Sequence, residues 1–68
     1  MDIGRLFFRV IEQDDGTWAC RHGFRGLDRH DTQDAAVVHI TELADKQRPI
    51  RIYLHHLDGR VSLVSTLD

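Results

Sequence analysis

The chemistry-bearing residues of this chain are one cysteine and five histidines, within 68 residues. Cys20 and His22 are two apart, so on a strand they share a face. A nucleophilic thiol needs an adjacent imidazole and a third, orienting group. A tetrahedral zinc site needs four ligands, usually arranged as two close pairs. His55 and His56 are adjacent, and strand neighbours point to opposite faces, so at most one of them can join Cys20 and His22. The sequence contains no second closely spaced pair of the C-x-x-C or H-x-x-x-H kind. A small enzyme or metal protein around Cys20 and His22 is therefore the weakest reading. The expectation is no catalytic residue, no metal and no cofactor.

Other groups point the same way. Asp14-Asp15 reads as turn chemistry, and Asp31 with Asp34 as helix capping, so neither pair suggests acid–base work. Gly16, Gly23, Gly26 and Gly59 form no phosphate-cradling loop. A basic cluster does stand out: Arg21, Arg25 and Arg29, with His22 and His30, surround Gly23–Leu27 against the single acid Asp28. Arg5, Arg9 and Arg51 are expected near it on the sheet. With Tyr53 as a stacking surface, Arg21, Arg25 and Arg29 are candidate contacts for single-stranded nucleic acid. The overall balance, nine Lys and Arg against eleven Asp and Glu, argues against a dedicated duplex-DNA coat.

The elements that must position these groups follow from periodicity. Leu6 to Gln13 reads as a first strand, and Asp15-Gly16 as a two-residue hairpin turn. A second strand runs from Thr17 to His22. Gly23 to His30 reads as a loop or irregular extension, with Phe24 and Leu27 tucked beneath the fold. Asp31, or alternatively Thr32, caps a helix. Ala36, Ile40, Leu43, Ala44 and Gln47 form its apolar stripe, Val38 lies on the wet side, and Pro49 stops it. Ile50 to His55 or His56 alternates with a clean period of two. Asp58-Gly59 turns the chain into a last strand from Val61 to about Thr66. The expected fold is α+β, in the order β-β-α-β-β, with one helix on a four-stranded, mainly antiparallel sheet.

One helix covers one face of such a sheet. The covered face should carry Leu6, Phe8, Val10, Trp18, Cys20, Ile52, Leu54, Val61 and Leu63. The other face is left with Phe7, Arg9, Ile11, Ala19, Arg21, Arg51, Tyr53, His55 and Val64. An apolar patch rimmed by polar groups tends to mark an interaction site. The reading is a non-enzymatic interaction module that self-associates as a homodimer, through this face or through an edge strand. Its interface candidates are Phe7, Arg9, Ile11, Arg51, Tyr53, His55 and Val64. An unknown protein partner and nucleic acid are the alternatives.

At this length a single domain, 1–68, is the only sensible count, and its core is thin. A lone cysteine and the start "MDIGRLFF", which lacks the form of a signal peptide, fit a reducing cytoplasm. No apolar run approaches the ~20 residues of a membrane helix, so no membrane partner is expected.

Three stretches together resemble a known family. They are "DDGTWAC" after the first strand, "HDTQDAAVVHITELADKQ" as the helix and "IYLHHLDGRV" as the closing hairpin. Trp18 after a Gly turn, Thr32-Gln33-Asp34-Ala35 at the helix start and His56-Leu57-Asp58-Gly59-Arg60 are similar to motifs of the small bacterial domain-of-unknown-function family 2188. The likeness runs from about Phe8 to Val61. It implies a small α+β fold and transfers no catalytic residue.

Overall fold

The computed structural model describes residues 6–68; Arg5 and the residues before it lie outside the described part. Five strands and one helix follow in the order β1 (Phe7–Glu12), β2 (Trp18–His22), β3 (Arg25–His30), α1 (Gln33–Asp45), β4 (Ile50–His55) and β5 (Val61–Leu67). The strands form one mixed sheet ordered β3-β2-β1-β4-β5. Neighbours are antiparallel except β1 and β4, which run parallel at the centre. The helix carries the chain across one face, from edge strand β3 to β4 on the far side of β1.

The α+β class and the single helix match the sequence reading; the strand count does not. Gly23–His30 is expected as a loop or an irregular strand extension; Arg25–His30 instead pairs with β2 as a full fifth strand. Only Leu27 is a large apolar residue in RGLDRH, so no apolar alternation marks it. It can stay charge-rich because it is an edge, where charges discourage pairing with further chains. Phe24 and Leu27 are not tucked beneath the fold: Phe24 is 75% exposed and Leu27 39%.

Both Asp-Gly turns are one residue longer than expected. Gln13 N–H donates to Thr17 O at 2.9 Å, and His56 N–H to Arg60 O at 2.9 Å, so each hairpin closes around three residues. Gly16 (φ 86°) and Gly59 (φ 92°) occupy the left-handed position that completes such loops. Asp15 Oδ1 accepts from Thr17 N–H at 3.0 Å, and Asp58 Oδ1 from Arg60 N–H at 3.0 Å, so the turns repeat one device. The extra residue matters in the second hairpin. A two-residue turn would set Val61 opposite His56; the observed loop sets it opposite His55, and Leu63 opposite Tyr53. A one-residue slip exchanges the faces of a strand. Val61 and Leu63 therefore leave the covered face for the open one and are 55% and 56% exposed. A bulge then restores the original phase, and Val64, exposed, is the residue it skips.

The core lies between sheet and helix: Phe8, Val10, Cys20, Ile50, Ile52 and Leu54 below, Ala36, Ile40 and Ala44 above. Trp18, Val37, Leu43 and Leu67 pack at its margin. Leu6, expected in the core, is 55% exposed. Thr32, rather than Asp31, is the N-cap, its Oγ1 accepting from Ala35 N–H at 3.1 Å. Two alanines on the buried stripe let the helix approach β2 closely; Cys20 Sγ lies 3.7 Å from the Ala36 carbonyl oxygen.

Candidate interaction surface

Strand pairing assigns the open face residue by residue, because partners across a sheet share a side. Phe7, Arg9 and Ile11 of β1 align with Arg51, Tyr53 and His55 of β4. On one flank they meet Ala19 and Arg21 of β2, and beyond these Arg29 and Gly26 of β3. On the other flank stand Thr66, Leu63 and Val61 of β5. Six of the seven expected interface residues thus come together as a contiguous field; the seventh, Val64, sits at the bulge on its rim.

The centre of this field is aromatic. Phe7 meets Tyr53 edge-on, with centroids 6.2 Å apart, and Phe24 likewise at 6.4 Å. Such pairs contribute about 0.5–1.5 kcal/mol beyond the area they bury. Phe24 was absent from the expected interface. It reaches over the field from the β2–β3 turn, where Gly23 (φ 61°) reverses the chain. An exposed aromatic next to a glycine in a basic segment was the available signal. Phe7, Arg9, Phe24, Tyr53, His55 and Val61 line a shallow depression.

Arg9 organises this depression. Its guanidinium lies 5.8 Å from the centroid of Phe24, donates through Nη1 to Gly23 O at 3.2 Å, and through Nε to His55 Nε2 at 3.2 Å. Partial burial, then the charge of Arg21, lowers its pKa from the ordinary guanidinium value. His55 must accept at Nε2, so its ring is neutral with the proton on Nδ1. Partial burial and the charge of Arg9 hold its pKa below the usual imidazole value.

Charge is sorted between the two sides of the sheet. Arg9, Arg21, Arg29 and Arg51 all stand on the open face. The two acidic strand residues, Glu12 and Asp28, pair with Trp18 and Cys20 and so face the helix. Asp15 of the first turn reaches this side, its Oδ2 3.7 Å from Arg29 Nη1, both exposed, and Asp68 lies near Arg51 and Thr66 at the far end. Of the expected nucleic-acid contacts, the structure brings Arg21, Arg29 and Tyr53 onto this face. Arg25 pairs with His22, whose ring stacks on Phe8 at 4.3 Å, and so belongs to the helix side.

The edges also differ. β3 carries Arg25, Asp28, Arg29 and His30, whereas β5 is VSLVSTL, seven residues without a charge or a proline. Its outer backbone groups have no strand partner among the described residues.

Cys20 and His22 share the helix side of β2, and the ligating cluster found around Cys20 is built from other residues. Cys20 is buried under the helix, and burial with the nearby Asp28 carboxylate pushes its thiol up to about 12. Its neighbours of ligating type are Asp28 and His30.

The fold and this surface define a single-helix α+β domain with one dry and one open sheet face. The chain belongs to a bacterial protein family: the model described as "uncharacterized protein conserved in bacteria (DUF2188)" matches residues 8–66. No curated protein and no solved structure matches it. Among the described residues, no helix is long and apolar enough to cross a membrane.

Proposed function

We propose that this chain is a non-enzymatic interaction module of the bacterial cytoplasm that self-associates as a homodimer through the β5 edge. The observation that carries this reading is that edge itself: uncharged, seven residues long, with Val61 and Leu63 more than half exposed beside it. Natural edges are usually blunted by charge, as β3 is. Face-to-face packing of two open sides is disfavoured, since it would bring four arginines against four others with no acid on the open-face strand positions to offset them. Edge pairing avoids that conflict and joins two open faces into one broad surface.

Full burial of a Val or Leu side chain contributes roughly 1.5–3 kcal/mol, and about half of that is still available to Val61 and Leu63 in each copy. Main-chain bonds along β5 add to it. Association costs about 4–15 kcal/mol in lost freedom. These gains are of the same order as that cost, so the dimer is expected to form and dissociate with concentration. Leu63→Lys should leave the fold intact, since the position is exposed, and weaken the dimer by roughly tenfold or more. Light scattering at two concentrations reads this; an unchanged dimer in the variant refutes the edge.

A second reading is favoured by the sorting of charge. Four arginines, two ring pairs and the absence of an acid from the open-face strand positions suit a phosphate backbone and unstacked bases. A labelled single-stranded oligonucleotide should bind with affinity that falls steeply with salt. Arg21→Ala should lower the salt slope by about one. No binding even at low salt removes this reading.

A further inference from the structure

On the helix side of the sheet, where β2 and β3 meet α1, four side chains with metal-ligating atoms converge. Cys20 and Asp28 are register partners, and His30 is one rung further along β3, opposite Trp18. Asp28 and His30 are therefore two apart and hang from one face. His39 descends from α1 onto them, with Nδ1 2.7 Å from Asp28 Oδ2. His30 Nε2 is 3.2 Å from Asp28 Oδ1 and 3.3 Å from His39 Nδ1. The ligating atoms of Cys20, Asp28 and His30 all lie within 4.8 Å of one another.

Both imidazoles press a ring nitrogen onto the one Asp28 carboxylate. If both imidazole nitrogens donate to Asp28, the two donors are crowded on one carboxylate, the nitrogens 3.3 Å apart. If His30 Nε2 instead accepts from His39, its lone pair confronts a carboxylate oxygen at 3.2 Å. Asp28 Oδ1 is in fact buried without an aligned hydrogen-bond partner. Burying an acceptor without a partner is unfavourable. A cation relieves each conflict, because it takes lone pairs from every member.

We propose that Cys20, Asp28, His30 and His39 form a tetrahedral site for a divalent transition-metal ion, with Zn2+ as the best match. A zinc ion with bonds of about 2.0–2.3 Å holds its ligands roughly 3.3–3.8 Å apart. Asp28, His30 and His39 stand in contacts of 2.7–3.3 Å, and Cys20 Sγ lies within 4.8 Å of the Asp28 and His30 ligating atoms. His39 must shift toward the thiol to complete the set. One thiolate, two imidazoles and one carboxylate suit a borderline-soft ion rather than calcium or magnesium. Bound metal deprotonates a coordinating thiol outright, which overrides the burial that keeps the Cys20 proton on. The site ties the charge-rich edge strand to the helix, a staple of the kind small domains use. It lies across the sheet from the proposed dimer edge and does not depend on it.

Titrating the full chain with ZnCl2 should show one saturable site and a raised Tm. The CoCl2 complex should show intense visible bands and a near-ultraviolet sulfur-to-cobalt band. His30→Ala and His39→Ala should each weaken binding by roughly tenfold or more. His39 is partly exposed, so its variant tests the site even if His30→Ala fails to fold; far-ultraviolet circular dichroism checks both. Absence of saturable binding, equal affinity in a folded His39→Ala variant, or a cobalt complex lacking the sulfur band overturns the proposal.

Discussion

Arg9 and His55 are the residues through which the open face senses pH. The Arg9 Nε–H donates to His55 Nε2, so protonating that nitrogen removes the acceptor and sets two cations together. The pKa of His55 is lowered by burial and by Arg9, so the unfolded chain takes up this proton first as pH falls. Stability contributed by neutral His55 is thus full above the unfolded value, about 6.5, and drains away below it. The urea midpoint should fall between pH 7.5 and 5.5, and His55→Gln should flatten that slope. Asp15 is lowered by its bonds from Thr17, and Asp58 by those from Arg60. Their contributions are present above about pH 4 and are lost only in stronger acid, outside the His55 window. An equal slope in the His55→Gln variant would show that the change comes from elsewhere.

At the scale of elements, the helix and both hairpins were legible because their signals are local. Thr32 offered an N-cap, Ala36, Ile40 and Ala44 a stripe, and Asp-Gly two turns. Thr32→Ala should cost about 1 kcal/mol, which in a chain this size lowers Tm by roughly 4–8 °C. A Tm unchanged within 1–2 °C would remove the cap from the account. What was not legible depends on geometry that residue type does not encode. A three-residue loop and a two-residue loop both end in Asp-Gly, and that single residue decided which face Val61 and Leu63 share. The parallel pairing of β1 with β4 joins segments some forty residues apart, which no local pattern specifies. β3 hid behind its charges, because an edge strand needs no apolar alternation. The histidine cluster was hidden for a related reason. His30 and His39 are nine apart in sequence and meet only because β3 turns directly into α1. The open face itself was legible, since Phe7, Arg9, Ile11, Arg51, Tyr53 and His55 alternate in phase on two strands that prove to be neighbours.

For the whole molecule, one helix covers one side of the sheet and buries the residues of β1, β2 and β4 there. The other side is only partly closed by its own rings, and Phe24, Val61 and Leu63 still stand in water. The proposed second copy at the β5 edge would complete this arrangement. Sedimentation equilibrium over a hundredfold range of concentration tests it most directly. The account predicts a mass rising from the 7.9 kDa of one chain toward twice that value as concentration increases. A constant single-chain mass up to millimolar concentration would contradict it.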